Sequence, residues 1–305
     1  MFVFYPDQYL TPAYRISPFR TSDVTLNYHF PYNNTIENYL TDRFKNLSYI
    51  YTINGREAIN IALKNINPGT NDVVTIFTTS GNTYISSCVT SEIEKYCKWS
   101  RRMLSETKII FVNHEFGYPY PGLKDLKEFN LPIIEDCAVS FFSDDSDQAI
   151  GRTGDFVIYS FPKMFPIQVG GMLVSKHKDV LSQYGNPEFD MFRYIKNVLS
   201  KYIVEKDQII AQRIRNYFEL KSRFGSLNLH ERFELHAGVV PGVFMFRTDN
   251  YNIDLPELKK HFWTHGIQSS VFYGEKAFFI PVHQTLSSDD LDYFYEVMKL
   301  FLKNK

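Results

Sequence analysis

The sequence predicts an α/β protein built on an open, largely parallel sheet with helices packed against it. From about Tyr49, short apolar and β-branched segments alternate with stretches of helical periodicity, which is typical of a parallel sheet covered by helices. The apolar segments end in polar or glycine-rich residues, as strands commonly do. With 305 residues, the chain is long enough for one large domain and a smaller one.

The first strong helix signal is the segment NGREAINIALKNI. Its apolar residues recur at helical spacing, Asn54 occupies the expected N-cap position, and Glu57 follows three residues later. Five short segments with the composition of strands follow in order: VVTIF, TKIIFVNH, LPIIEDCA, GDFVIYSF and GGMLVSK.

The pattern changes after Lys176, where long charged stretches with helical spacing extend to Gly225. Strand-like segments and helices then alternate again, and the last helix begins with an acidic turn and ends in lysines. We therefore expect a large domain at residues 1–180, and linking helices with a small C-terminal α+β domain at residues 181–305.

The composition disfavours several classes of function. Lysine and arginine number 33 against 34 aspartates and glutamates, so the chain lacks the basic surface that nucleic acids or anionic membranes require. No apolar run is long enough to span a bilayer, which predicts a cytoplasmic protein. Cys88, Cys97 and Cys137 lack paired or metal-type spacing, so we expect reduced thiols and no metal site.

The candidate site residues follow the predicted strands, because ligands of open α/β sheets bind beyond the carboxyl ends of the strands. Asp136 ends one strand and Lys163 follows the next. A carboxylate can hold a protonated ring nitrogen, and a lysine amine can form a Schiff base with an aldehyde, as pyridoxal phosphate requires. The NGRE turn before the first helix could bind the phosphate.

Each of these features has an ordinary structural interpretation. Asn-Gly before a helix is usually a turn and a cap, and a lone aspartate or lysine after a strand is usually a surface charge. His114 and Glu115 also follow a strand and could line the site, but such a loop pair is usually solvated. Turn formation around Pro281 explains His283 as well as a catalytic role does. The three features together, in order along one sheet, favour a pyridoxal phosphate site.

Four segments resemble, in the same order, the sugar aminotransferases of the DegT/DnrJ/EryC1/StrS family: TINGREAINIAL, PIIEDCA, AIGRTGDFVIYSFPKMFPIQVGGMLVS and GIQSSVFY with the C-terminal residues that follow. The resemblance runs from about Thr35 to the C-terminus and is most specific in the third segment. It implies the aspartate-aminotransferase-like fold type I of pyridoxal phosphate enzymes, with a mostly parallel seven-stranded sheet, a small C-terminal domain and a homodimer with shared active sites.

The resemblance also implies roles for individual residues. Lys163 corresponds to the catalytic Schiff-base lysine, and Asp136 to the partner of the pyridine nitrogen. The remaining positions are those that contact the phosphate (Gly55, Arg56, Glu57 and Ser160), the face of the cofactor ring (Asn82) and the sugar nucleotide (Tyr273).

Several positions depart from the family pattern. Val139 replaces the glutamine near the cofactor hydroxyl, and Asn82 stands where an aromatic residue stacks on the ring, although Tyr84 is close enough for a shift in register to restore stacking. In the segment of residues 161–169, called the lysine loop below, only Pro162 separates the Ser-Phe pair from Lys163, where the family usually has three residues. The family's HNYR-type segment, which serves the neighbouring subunit, is not recognisable after Lys176.

Three hypotheses follow. The first is a transaminase that uses Lys163 as general base and acid, a nucleotide-linked keto sugar as amino acceptor and glutamate as donor. The second is a non-catalytic or regulatory relative that keeps the fold, as the departures at Val139, at Asn82 and in the lysine loop suggest. The third is dehydration of a sugar, but that branch of the family has histidine in place of the lysine, so Lys163 disfavours it.

Overall fold

The computed structural model describes residues 13–145, 148–177, 184 and 190–303. Two sheets organise them, one of seven strands and one of three. The predicted α/β fold class with a seven-stranded, mostly parallel sheet is confirmed. Within the described ranges, no helix combines the length and apolar character needed to cross a bilayer.

The large sheet has the strand order β1-β7-β6-β5-β4-β2-β3. Its strands are β1 Ser48–Thr52, β2 Val73–Thr78, β3 Lys98–Ser100, β4 Thr107–Asn113, β5 Ile133–Asp136, β6 Phe156–Ser160 and β7 Gly171–Ser175. Strands β2 to β6 pair in parallel, whereas β7 pairs antiparallel with both β6 and β1. The sequence predicted a strand at GGMLVSK but could not give its direction.

Helices cover both faces of this sheet. The described α-helices are α1 Asp23–Tyr28, α2 Thr35–Phe44, α3 Gly55–Ile66, α4 Ser87–Ile93, α5 Asp190–Ile203, α6 Lys206–Gly225, α7 Leu255–Thr264 and α8 Ser288–Lys303. Helices α3 and α4 pack on the face that carries Ile76, Phe111 and Ile134. Helices α2 and α5 pack on the opposite face, around Tyr159 and Met172. Short 3-10 turns lie at Glu115–Gly117, Asp125–Phe129 and Phe161–Lys163.

The small sheet is antiparallel, with the order β8-β10-β9. Its strands are β8 Phe244–Arg247, β9 Ser270–Phe272 and β10 Ala277–Ile280. Helices α6, α7 and α8 cover it through a second core, to which Phe224, Phe262 and Phe294 belong. This α+β unit is built from the C-terminal part of the chain.

The two linking helices belong to different cores. Ile195 and Val198 of α5 are buried with the large sheet, whereas Tyr217 and Leu220 of α6 are buried with the small one. The expected boundary after residue 180 lies outside the described residues. From the packing, we propose that the domains divide between α5 and α6.

Candidate active site

A cavity of about 500 Å³ lies beyond the carboxyl ends of β2, β4, β5 and β6. Its floor contains Thr78, Asn113, Asp136 and Ile158, which point to the same face of the sheet as the residues that pack against α3 and α4. Helix α3, helix α4 and the small domain supply the walls. This is the location that the strand order predicts for a ligand.

Asp136 and Lys163 both line this cavity. Asp136 ends β5, and its two oxygens accept hydrogen bonds from the backbone N–H of Ala138 (3.0 Å) and from Nδ2 of Asn113 (2.9 Å). Burial raises the pKa of Asp136 above its ordinary value, against the opposing effects of Ala138 N–H, His114 and Lys163. A protonated nitrogen beside this carboxylate would stabilise its charged form.

The beginning of α3 forms a second corner of the cavity. Oδ1 of Asn54 accepts from the backbone N–H of Glu57 (3.0 Å), and the Glu57 carboxylate accepts from the N–H of Ile53 (2.6 Å). Glu57 thus stabilises the helix cap and does not line the cavity. Gly55 and Arg56 do line it, and their N–H groups have no preceding helical turn to bond to.

Ser160 lies at the same corner. A Cβ atom built on Gly55 would be 3.5 Å from the Cβ of Ser160, and both residues line the cavity. The shortened loop before Lys163 therefore does not remove Ser160 from the start of α3. Two backbone N–H groups and one hydroxyl converge at the positive end of a helix, which suits a phosphate.

The glycine pair after the lysine loop holds this loop against α3. Gly170 donates to the carbonyl of Ile53 (2.7 Å) and accepts from the N–H of Phe161 (3.0 Å), with a φ of +109°. A Cβ on Gly171 would lie 2.6 Å from the carbonyl carbon of Asn54. The close approach of the two loops thus requires glycine at position 171.

Asn82 does not line the cavity. Its Nδ2 donates to the carbonyl of Tyr273 (2.8 Å), and its Oδ1 accepts from the N–H of Tyr84 (3.2 Å). Tyr84 does line the cavity, and its ring centroid lies 5.2 Å from that of Tyr273, which is half exposed outside it. Asn82 thus shapes the turn that presents Tyr84, which lines the cavity together with the rings of Phe116, Phe272 and Phe279.

The expectation that His114 and Glu115 are solvated is wrong, because both are buried and line the cavity. Nδ1 of His114 accepts from the N–H of Tyr120 (2.9 Å), which leaves Nε2 as the donor to Oε1 of Glu135 (3.1 Å). Glu115 accepts from the N–H of Ser80 (2.6 Å). Burial raises the pKa of Glu115 above its usual value.

His114, Glu135 and Cys137 are buried, and their potential ligand atoms lie within 4.8 Å of one another. They already form a hydrogen-bonded network: Glu135 also accepts from the N–H groups of Gly151 and Gly154. Both ring nitrogens of His114 are occupied as well. These hydrogen bonds hold the loop between β5 and β6 against the end of β5.

Several wall residues come from distant parts of the chain. Ile16, Gln268 and Gly242 line the cavity, and Oε1 of Gln268 accepts from the N–H of Ile16 (2.8 Å). A Cβ on Gly242 would overlap Val139. The sequence interpretation missed these three residues, although Gln268 lies in the GIQSSVFY segment that resembles the family.

These residues fit pyridoxal phosphate. The start of α3 with Ser160 suits the phosphate, Asp136 suits the ring nitrogen, and Lys163 offers an amine in the same cavity. Val139 cannot donate a hydrogen bond to the ring hydroxyl.

Residues 100–184 match the family model described as the DegT/DnrJ/EryC1/StrS aminotransferase family. None of the curated proteins is a significant match to this sequence. The matched segment contains the Asp136 strand, the lysine loop and the glycine pair.

Solved structures with the same fold cover nearly the whole chain. The aminotransferase TlmJ from Streptoalloteichus hindustanus has a TM-score of 0.72 and 14% identity over 93% of this chain and 95% of that chain. A DegT DnrJ EryC1 StrS aminotransferase from Brucella abortus has a TM-score of 0.69 and 15% identity, with coverages of 92% and 93%.

A GDP-4-keto-6-deoxy-D-mannose-3-dehydratase from E. coli with bound hydrated pyridoxal phosphate has a TM-score of 0.67 and 13% identity, with coverages of 90% and 94%. The resemblance predicted from the sequence is thus confirmed: residues 100–184 carry the sequence pattern of the DegT/DnrJ/EryC1/StrS aminotransferase family, and the chain has the fold of these three proteins.

Proposed function

We propose that this protein is a pyridoxal phosphate-dependent aminotransferase that transfers an amino group from glutamate to a keto sugar linked to a nucleotide. The observation that carries the proposal is that Lys163, Asp136 and the start of α3 line one cavity at the carboxyl end of the sheet. The cofactor, when bound, supplies an electron sink for the charge that develops at the substrate carbon.

Asp136 would hold the proton on the ring nitrogen. Asn113 and the N–H of Ala138 each donate to a different oxygen of the carboxylate, so each oxygen keeps a second lone pair for the nitrogen. Because burial raises the pKa of Asp136, a cationic partner lowers the energy of its charged form and is in turn held protonated.

The phosphate would bind to the N–H groups of Gly55 and Arg56 and to the hydroxyl of Ser160. The positive end of the α3 dipole would add to this binding. Tyr84 would lie against the ring. Tyr273, at the rim of the cavity next to Tyr84, would contact the sugar nucleotide.

Lys163 would carry out the proton transfers. Its Nζ would act as general base and then as general acid, taking a proton from the substrate carbon and giving it back at the next step. The wall residues Ile16, Val243 and Phe272 make much of the cavity wall apolar.

A nucleotide-linked keto sugar is proposed because the similarly folded E. coli protein is named as a dehydratase of such a compound. That protein also demonstrates that the fold supports more than one reaction, so the reaction must be argued from the site. A lysine at position 163 favours transamination over dehydration, in which the family places histidine. We also propose a cytoplasmic homodimer, as the family resemblance implies.

The experiment uses purified protein loaded with pyridoxal phosphate. We expect a visible absorbance band that disappears when glutamate is added. Reduction with borohydride should fix the cofactor to Lys163, and peptide mass spectrometry identifies the modified residue. Lys163→Ala should abolish fixation, while Lys201→Ala, at a half-exposed lysine paired with Glu205, should retain it.

Two outcomes would contradict the proposal in different ways. A wild-type protein that takes up no cofactor would exclude any pyridoxal phosphate function. A protein that fixes the cofactor at Lys163 but keeps its visible band with every amino donor would be a non-catalytic relative, the hypothesis that Val139 favours.

A further inference from the structure

Three consecutive carbonyl groups of the lysine loop accept hydrogen bonds from side chains of three distant segments. The Ser17 hydroxyl donates to the carbonyl of Pro162 (2.6 Å), Nη2 of Arg213 to that of Lys163 (3.0 Å), and Nε2 of Gln284 to that of Met164 (2.9 Å). None of these carbonyls accepts from a backbone N–H in the described part of the chain. The conformation of the loop therefore depends on side chains outside it.

Arg213 is the centre of this arrangement. It is fully buried in α6, and its Nε donates to Oε1 of Gln284 (2.9 Å) while Nη1 donates to the carbonyl of Pro241 (3.1 Å). All its hydrogen-bond acceptors in the described residues are neutral, and burial lowers its pKa to about 9.

A buried charge without an opposite charge is costly, so Arg213 is an unusual choice for a purely structural position. A guanidinium nevertheless offers five N–H groups in one plane and reaches three acceptors at once. Here those acceptors belong to the lysine loop, to the segment that leads into Gly242 of the cavity wall, and to Gln284.

The three donors come from parts of the chain that also build the cavity or the small domain. Ser17 follows Ile16, a wall residue that Gln268 of the small domain holds in place. Gln284 lies between β10 and α8, and α6 packs in the core of the small domain. The position of Lys163 is thus linked to the docking of the N-terminal segment and the small domain.

We propose that Ser17, Arg213 and Gln284 are positioning residues that fix the lysine loop, and with it the Lys163 amine, only when the N-terminal segment and the small domain are docked. The inference rests on the proposed function of Lys163. It also explains how a loop with a single residue between Phe161 and Lys163 is held in one conformation. Misplacing a reacting group by about 1 Å can cost about 100-fold in rate.

The test compares Ser17→Ala, Gln284→Ala and Arg213→Gln with matched controls. The controls are Ser226→Ala, whose hydroxyl caps an exposed carbonyl, and Arg215→Gln, whose half-exposed side chain pairs with Glu219 on the same helix. For each variant we would measure the thermal midpoint, the visible circular dichroism of the bound cofactor, and the rate of transamination.

We expect Ser17→Ala and Gln284→Ala to stay folded, to lose much of the visible circular dichroism and to slow by about 10- to 100-fold, while the controls match the wild type. Arg213→Lys should not restore the signal, because an ammonium cannot reach three planar acceptors. If Arg213→Gln fails to fold, the other two variants decide the question. Wild-type dichroism and rate in both would overturn the proposal.

A second readout does not depend on the cofactor. In the cofactor-free protein, the rate at which an acylating reagent modifies Lys163 is followed by peptide mass spectrometry, with Lys201 as internal reference. We expect a several-fold change at Lys163 in Ser17→Ala and Gln284→Ala, and none in the controls. A wild-type protein that binds no cofactor would refute the proposed function, whereas an unchanged Lys163 rate in the variants would refute the positioning role.

Discussion

Glu135 and Asp136 are consecutive residues at the end of β5, and their surroundings displace their pKa values in opposite directions. Strand alternation points Asp136 to the cavity face and Glu135 to the opposite face. Burial raises the pKa of Asp136. Burial acts on Glu135 in the same direction, but hydrogen bonds from His114, Gly151 and Gly154 outweigh it and lower its pKa below the usual value.

Because their pKa values are displaced in opposite directions, the two carboxylates have different roles. Glu135 is a structural anchor, because its oxygens are already occupied by donors from His114 and from the loop 151–154. Asp136 lines the cavity and accepts one hydrogen bond at each oxygen, so a protonated nitrogen in the cavity would add a charged partner.

The first prediction contrasts Asp136→Asn with Glu135→Gln. Asp136→Asn should keep the fold and the covalent attachment of the cofactor but lower turnover by about 10²- to 10³-fold, because the ring nitrogen loses its charged partner. Glu135→Gln should lower the free energy of unfolding by about 3–5 kcal/mol, because it breaks a buried charged network. Steady-state kinetics and urea unfolding of both variants check this, and equal effects of the two substitutions on stability would contradict it.

The second prediction concerns the aromatic ring at the cavity. Tyr84→Ala should weaken cofactor affinity by about 2- to 12-fold, the amount expected for one aromatic stacking contact. Tyr84→Phe should retain the wild-type affinity, since the ring and not the hydroxyl makes the contact. Equilibrium titration of the cofactor-free variants with pyridoxal phosphate measures this, and an undiminished affinity of Tyr84→Ala would show that another group covers the ring.

Much of the sheet was predictable from local sequence. The strands β2, β4, β5, β6 and β7 are short β-branched segments with polar or glycine ends, and Asn54 with Glu57 forms the cap expected at α3. These features depend on residues close together in the chain, so their periodicity and capping chemistry identify them.

The remaining parts of the site depend on contacts between distant residues. Tyr84 lines the cavity, whereas the Asn82 side chain donates to the carbonyl of Tyr273, 191 residues away. Arg213 reaches the Lys163 carbonyl from 50 residues away, and no motif surrounds it. The direction of β7 likewise follows from its pairing and not from its composition.

The third prediction concerns acid stability and His283, a buried histidine beside Arg213. Its Nε2 donates to the carbonyl of Arg15 (2.9 Å), and its Nδ1 accepts from the Thr285 hydroxyl (3.0 Å), which fixes the neutral ring. Burial, together with the charges of Arg213 and Arg20, lowers its pKa to about 3.

The sign of the effect follows from proton binding. An unfolded histidine takes up a proton below about pH 6.5, whereas His283 in the folded protein does so only near pH 3. Between these values the unfolded state binds more protons than the folded state. The contribution of His283 to stability is therefore fully present above about pH 6.5, and it is lost as the pH falls, by about 1.4 kcal/mol per pH unit.

Urea unfolding of the wild type at pH 7, 6 and 5 should show this dependence of the unfolding free energy on pH. Half-buried His261, whose pKa burial also lowers, should add a smaller dependence of the same sign. His283→Gln, which keeps a donor for Arg15, should remove about one proton from the slope, and His230→Gln, at an exposed histidine, controls for the loss of a titratable side chain. An unchanged slope in His283→Gln would show that His283 is protonated in the folded protein in this range, and that the cation at Arg213 does not keep it neutral.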